Sequence, residues 1–343
     1  MNAWIYNKAP VAIIIHCLGN FSTGFFPFFI IELPEGNLAE KRHARTIHMV
    51  GGSESMADDL MEKYIKYLNL DKPIWYRYSN WMWRMFRHGD LGLAFGNTGA
   101  GLVAQRPVKE IVGERIWTTI SLTGFTIIVT WTFAIPVGIY SAVRQHSVGD
   151  YIFTFVGFTG LAVPDFLLGL VLMYMFFAYF DMNVGGLFSA DYINAPWSIG
   201  KVLDLIDHLW IPALVLGTSG TAGLIRVMRN NLLDELSKPY VVTARSKGVP
   251  PIRLILKYPV RVAINPLIST VGYLLPALVS GSVIVSVVLS LPTIGPVLLT
   301  AIWDEDTYLA GFVVLLLGLL TVVGTFISDI LLALVDPRVK LTN

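Results

Sequence analysis

The chain has one cysteine, Cys17, among 343 residues, so it can form no internal disulfide and no multi-cysteine metal site. A lone thiol in an apolar run ordinarily packs as a core side chain, and the redox compartment cannot be read from it. Charge is equally scarce. Only 14% of positions are Asp, Glu, Lys or Arg and the formal net charge is +1, far from the basic excess that a nucleic-acid footprint needs. There is no Gly-Lys-Ser/Thr phosphate-binding string, no zinc-protease helix, no nucleophile elbow and no paired-histidine spacing, and the six histidines are scattered. These absences argue against ATP hydrolysis by this chain, against metal or cofactor sites in it, and against an enzyme generally. What the chain has instead is apolar surface. Hydrophobic residues make up 54% of it and the mean hydropathy is +0.62, too apolar for an ordinary soluble domain.

A hydrocarbon core of about 30 Å takes roughly 20 apolar residues per helix. Six runs fit: Ala9 to Ile31, Ile116 to Val143, Tyr151 to Phe180 interrupted only by Asp165, Leu209 to Ile225, Val262 to Trp303, and Thr307 to Ser328 with a tail to Val335. The fifth holds 42 residues and is broken by Pro292 and Gly295, so it reads as a helix of about Asn265 to Ser290 followed by a short re-entrant or interfacial helix. The first has Lys8 as a weak basic flank and no small-residue cleavage pattern before Glu32, so it reads as a retained helix rather than a signal peptide. The fold class is an all-α integral membrane protein with six transmembrane helices. Residues 1–343 form one transmembrane domain: a first span at 9–31, an extracytoplasmic segment at 32–115, a five-span core at 116–335 and a tail at 336–343. A cytoplasmic loop at 226–261 joins the fourth and fifth spans.

Orientation follows from that loop. The island Arg226 to Arg261 carries eight of the 25 Lys and Arg residues between two apolar runs. With it inside, both termini are cytoplasmic, and the short inner loops hold twelve basic residues (Lys8, Arg144, the eight of the island, Arg338 and Lys340) against Lys201 alone outside. Within the island, Pro239 opens one short helix, Gly248 ends it, and Pro250-Pro251 open another. Two short helices and a tight turn make an exposed knob. A solvated charged loop, or a DNA-binding helix-turn-helix, is the alternative; tethering between two spans and the near-neutral chain disfavour the second.

The outer segment has its own pattern. Met56, Leu60, Tyr64, Tyr67 and Leu68 recur at helical spacing within Glu54 to Leu70, after a turn at Gly51-Gly52. A second helix is predicted over Pro73 to Arg87, dense in Trp75, Tyr76, Tyr78, Trp81, Trp83 and Phe86. Such a belt suits a helix at the membrane interface. The sharper alternative is a rim, led by Trp75, Trp81 and Trp83, that docks an external protein.

These strings together resemble a known family. Thr243-Ala244-Arg245-Ser246-Lys247-Gly248 is similar to the "EAA" loop of ABC importer permeases, in the form found in the dipeptide/oligopeptide and nickel family. Pro34-Glu35-Gly36-Asn37, Leu70-Asp71-Lys72-Pro73, Arg87-His88-Gly89-Asp90-Leu91-Gly92, Ala162-Val163-Pro164-Asp165-Phe166 and Leu334-Val335-Asp336-Pro337-Arg338 continue the likeness over nearly the whole chain, which looks like the first, B-type, transmembrane subunit. Each string is weak alone; their order and spacing are specific. The departures are an extra charged stretch near Leu38 to Val50, and Tyr258-Pro259 where relatives usually carry His-Ala.

The resemblance implies a non-catalytic permease subunit in a bacterial or archaeal inner membrane. It would pair with a homologous second permease, two ABC ATPases that bind ATP and Mg, and an extracytoplasmic substrate-binding protein, amid membrane lipid and without nucleic acid. The loop would seat in a groove on an ATPase through Thr243, Ala244, Arg245, Ser246, Lys247, Gly248 and Arg253. Gly248 would permit a turn that a side chain obstructs, Ala244 close approach, and the cations pairing with acidic or carbonyl groups. Short peptides are the expected cargo; oligosaccharide, nickel and glutathione are the alternatives.

Asp165 is a carboxylate inside a span, which costs about 2.5–3.5 kcal/mol on insertion scales and marks either a cavity or a structural partner. With Pro164 and Pro276 it is a candidate for the translocation path; the structural alternative is that it caps a helix break at Pro164 or pairs across to another subunit. Pro136, Pro164 and Pro276 are read as mid-span kinks. An ion-driven secondary transporter would show intramembrane ionisable pairs and inverted repeats, and neither is evident. A membrane-anchored receptor would not need six spans.

Overall fold

The computed structural model describes residues 28–29, 58, 62, 65–67, 69–94, 106–181, 184–193 and 195–335, with Tyr273 described in its backbone only. Apart from Phe28 and Phe29, which are helical, the expected first span lies outside the described residues, as do the charged stretch 38–50 and the tail 336–343. Of the helix expected within Glu54 to Leu70, Asp58, Glu62, Ile65, Lys66 and Tyr67 are described and helical.

Among the described residues the regular structure is α-helical except for one two-residue β pairing. In order it forms α1 (Ile74–His88), β1 (Leu93–Ala94), β2 (Arg106–Pro107), α2 (Val108–Val143), α3 (Val148–Ala162), α4 (Asp165–Phe180), α5 (Ile199–Leu236), α6 (Pro239–Ser246), α7 (Pro251–Lys257), α8 (Pro259–Ala263), α9 (Asn265–Gly281), α10 (Val283–Val288), α11 (Ile294–Trp303) and α12 (Thr307–Val335). Helices α2 and α12 are each long and apolar enough to cross a membrane alone. Four spans result if each of two bent pairs counts as one: α3 with α4, meeting at 100°, and Pro251–Gly272 with Leu274–Gly281, meeting at 51°.

The described residues fall into two compact units, those within 1–117 and 294–319 and those within 118–293 and 320–343. In the first, α1 begins after Pro73 and ends on Gly89, whose φ of +65° is the left-handed stop that closes a helix. Asp90 then accepts from Gly92 N–H at 2.9 Å and from Arg84 Nε at 3.0 Å. Burial acts to raise this carboxyl, but the hydrogen bonds from Arg84 and Gly92 outweigh it and hold Asp90 below the usual carboxylate range. Tyr67 Oη receives Leu93 N–H at 3.1 Å, so the Arg-His-Gly-Asp-Leu-Gly string closes a turn that delivers β1 to β2 with Leu93 opposite Pro107. Trp81 is fully buried and stacks on Phe28 and Tyr308 at 5.8 Å from each. Its indole N–H donates to Leu91 C=O at 3.0 Å. Val108, Val112, Ile294, Val297, Ala301 and Leu309 complete that core, which seats the short helix α11 that Pro292 and Gly295 predict.

In the second unit α5 is the axial element. Ser198 caps it, accepting from Lys201 N–H at 3.3 Å, and it runs on to Leu236, well into the polar island expected to be loop. Leu205, Leu209, Ile211, Val215 and Leu216 pack with Leu122 of α2, Val285 of α10 and Leu289. Further along, Leu224, Met228 and Leu232 pack with Ala134 and Ala142 of α2, Ala263 of α8 and Leu267 of α9. Small residues allow close approach: a Cβ on Gly138 would lie 2.7 Å from Met228 Cβ, and one on Gly324 of α12 would lie 2.9 Å from Gly272 C=O in α9.

Two expectations need correction. The run Tyr151 to Phe180 is not one straight span: Pro164 cannot donate in a helical ladder and caps α4, so the chain turns between Ala162 and Asp165. Pro164 therefore separates two helices rather than kinking one, whereas Pro136 and Pro276 do lie inside α2 and α9. The helix expected from Asn265 to Ser290 is divided into α9 and α10 at Ser282. Pro212, buried within α5, is a further intrahelical proline.

Candidate functional site

The polar island folds as two short helices. Pro239 stands at the first helical position of α6, preset to φ near −65° with no amide to leave orphaned, and Pro251 does the same for α7. Between them Lys247 N–H donates to Thr243 C=O at 3.1 Å, Gly248 N–H to Arg245 C=O at 3.0 Å and Val249 N–H to Ala244 C=O at 3.4 Å. Gly248 takes φ +76°, which lets the chain reverse. Nothing lies within 4 Å of where its Cβ would be, so the position restricts backbone conformation, not space. This refines the expectation that a side chain would obstruct the turn.

A small core holds the knob together. Val241, Ala244 and Leu254 are buried, with Val249, Ile255 and Tyr258 against them. The smallness of Ala244 serves the contact between α6 and α7 within this chain. Thr243, Arg245, Ser246, Lys247 and Arg253 are exposed. The hydroxyls of Thr243 and Ser246 bond back to the carbonyls of Pro239 and Val242 at 2.9 and 3.1 Å, leaving their oxygens as acceptors at the surface. Arg253, Lys257 and Arg261 line an open groove of about 590 Å³ with Ile252 and Leu256. From Lys238 to Arg261 the sequence has six cations and no Asp or Glu.

Asp165 opens α4 directly after Pro164, where an acidic first turn suits the helix dipole. It is half-buried, and Ser219 Oγ donates to one of its oxygens at 3.3 Å across to α5. Asp165 and Pro164 are thus brought together. Pro276 sits separately, inside α9.

The aromatic helix α1 has two faces. Trp75 and Trp83 are 68% and 65% exposed, joined by Phe86 and Tyr76, whereas Trp81 is 0% exposed. Trp81 therefore leaves the expected rim. A helix of 3.6 residues per turn places position 81 on the face shared with Tyr78 and Met82, which is the face that packs.

Polar contacts at three places in the fold escaped the sequence reading. Arg229 of α5 grips Asp150 of α3 with Nε on Oδ1 and Nη2 on Oδ2, both 3.1 Å. The Asp150 side chain is 4% exposed. Asp150 also accepts His146 N–H at 3.0 Å. The Arg229 hydrogen bonds, then the His146 amide, hold this carboxyl below its usual range although burial opposes them. On the other end of α5, Asp204 accepts from Ser189 N–H at 2.9 Å. Lys201 Nζ donates to Ala195 C=O at 2.7 Å and lies 5.5 Å from the Trp197 ring centroid. In the first unit the Arg84–Asp90 pair closes the α1 turn. A spacing of 79 residues between Asp150 and Arg229 has no periodic signature, and only the fold brings them together.

The chain is similar to known proteins over most of its length. Residues 134–341 match the model of the family described as "binding-protein-dependent transport system inner membrane component". The oligopeptide transport system permease protein AppB of Bacillus subtilis (strain 168) is 34% identical over 279 residues, covering 81% of this chain and 84% of its own. The dipeptide transport system permease protein DppB of Escherichia coli (strain K12) is 26% identical over 310 residues, covering 86% of this chain and 89% of its own. With a match spanning more than half its length and a relative above 30% identity over four-fifths of it, this chain belongs to the family of binding-protein-dependent transport system inner membrane components.

Proposed function

We propose that this chain is the permease subunit of an ATP-driven importer of short peptides, forming half of the translocation path and coupling it to cytoplasmic ATPases. The carrying observation is the α6–α7 knob with its flanks: six cations without an acid from Lys238 to Arg261, exposed Thr243, Arg245, Ser246 and Lys247, and a left-handed glycine, all inserted between two apolar helical runs. That surface suits an acidic groove on a partner, with Arg245, Lys247 and Arg253 supplying charge-assisted hydrogen bonds. Thr243 and Ser246 frame the same edge, and Ala244 and Gly248 set its shape. Two such ATPases bind ATP and Mg; this chain, with a homologous permease beside it, does no chemistry of its own. Peptide cargo is supported by the names of the relatives, which are oligopeptide and dipeptide permeases.

In this reading the chain is a single six-span domain, 1–343, in the inner membrane with both termini cytoplasmic. Residues 9–31 form the first span, 32–115 the extracytoplasmic segment, 116–335 the core with the 226–261 coupling loop, and 336–343 the tail. An extracytoplasmic binding protein docks on the Trp75 and Trp83 side of α1. Asp165, next to Pro164, faces the path and suits a cationic peptide terminus. Pro276 provides the bend in α9.

The test is reconstitution of the complex that co-purifies with this chain. Labelled di- to pentapeptides should accumulate in proteoliposomes only with ATP and the binding protein, insensitive to ionophores. Uptake driven by a proton or sodium gradient, by this chain alone, would overturn the reading. ATP-driven uptake competed by nickel, glutathione or oligosaccharide and not by peptides would keep the importer and replace the cargo.

A further inference from the structure

We infer that the Asp150–Arg229 pair, with its buried carboxylate and partly exposed guanidinium, is a strut that makes the α2–α3 turn and the coupling loop move as one body, so that Asp150 and Arg229 are positioning residues for energy coupling. The inference rests on the coupling-loop reading above and goes beyond it, because it names a path by which displacement of α6 reaches helices that the loop does not itself contain.

The geometry supports a rigid link. Arg229 lies within two turns of the end of α5 at Leu236, and only Ser237 and Lys238 separate α5 from α6. A push on α6 is therefore delivered to α5 close to Arg229. Asp150 stands in the first turn of α3, and its carboxylate is fixed from three sides: both guanidinium bonds at 3.1 Å and the His146 amide at 3.0 Å. Ser147 caps the same turn, accepting from Asp150 N–H at 3.2 Å. The two-bond fork fixes direction as well as distance.

The neighbouring contacts leave this pair as the polar end of a long seam. Along α3 and α5, Arg226 lies 4.7 Å from the Phe158 ring centroid. A Cβ on Gly157 would meet Ala222 at 3.6 Å, and one on Gly160 would meet Thr218 at 2.8 Å. The glycine contacts are small and the Arg226–Phe158 contact is a cation over a ring face, so none of the three is a hydrogen bond that fixes the register. The Asp150–Arg229 fork cannot slide without stranding a charge that is almost wholly buried. It pins the register of α3 on α5 where the coupling loop begins.

The experiment uses the whole complex with its ATPases and binding protein, with spin labels at the exposed positions Val148 of α3 and Val242 of α6. A strut predicts one 148–242 distance with and without ATP in the wild-type complex. In Asp150→Asn or Arg229→Gln that distance changes on ATP binding, and peptide taken up per ATP hydrolysed falls roughly tenfold or more while hydrolysis continues. Arg229→Lys, which keeps the charge and one bond, should give an intermediate ratio. Uptake and hydrolysis falling in step, or an unchanged ratio, or a 148–242 distance that varies with ATP in the wild type, would overturn the strut. Absence of any ATP-driven change at Val242, measured against an outer label on Trp303→Cys, would instead remove the coupling-loop reading on which it rests.

Discussion

At Gly248 the requirement is for φ +76° with open space beyond. An ordinary L residue in that region costs about 1–2 kcal/mol, and Asn less because its side chain bonds locally. ATP-driven uptake should therefore survive Gly248→Asn, weaken in Gly248→Ala and weaken further in Gly248→Val, where a β-branched side chain meets the left-handed backbone. Equal loss in all three would mean that a partner surface comes within contact of the missing Cβ. Asp150 offers a pH test with a definite sign. Its folded value is depressed, so its stabilisation is present above the unfolded value of about 3.9 and is lost as pH falls through the folded one. The difference in detergent melting temperature between wild type and Asp150→Asn should be constant from about pH 8 to 5 and shrink only in acid below about 4. A difference that shrinks already near neutrality would mean that the carboxyl is not held by Arg229.

Helix α1 shows what an element's sequence can and cannot say. Its position was legible: Pro73 before it, Gly89 after it and a run of good helical spacing between. Its two faces were not separated by composition, because aromatics lie on both. Trp81 packs against Phe28 and Tyr308, partners far away in the chain, so the indole that the sequence offers for docking is spent on the core. Trp81→Ala should cost about 3–5 kcal/mol of folding stability, a loss large enough to see as reduced melting temperature and yield. Trp75→Ala and Trp83→Ala should stay within about 0.5 kcal/mol and alter only the response to the binding protein. The opposite ranking in a thermal-shift series would place the rim elsewhere. The same limit governed α3 and α4. Pro164 announced a break, but a break and a kink differ by one hydrogen-bond register, and hydropathy sees neither. The α6–α7 knob was legible almost to the residue because proline and glycine act locally, whereas the Asp150–Arg229 fork needed the tertiary fold.

Across the whole molecule, charge placement carries more than net charge. The total is +1, yet the segment 238–261 holds six cations and no acid, which makes it a strongly polarised patch on an otherwise balanced chain. If docking of the proposed ATPases depends on that patch, it should be sensitive to salt, because the screening length falls from about 10 Å at 0.1 M to about 3 Å at 1 M. The same surface presents Ile252 and Leu256, which are 75% and 53% exposed, and apolar contact through them would be unaffected or strengthened by salt. The two contributions can therefore be separated on one preparation by washing membranes that hold the complex at rising KCl and measuring ATPase retained. Retention should fall steeply with salt in the wild type, and the slope should flatten when Arg245, Lys247 and Arg253 are replaced together by Gln. Retention that ignores salt but collapses in Ile252→Ser with Leu256→Ser would transfer the docking energy from the cations to the apolar edge of α7.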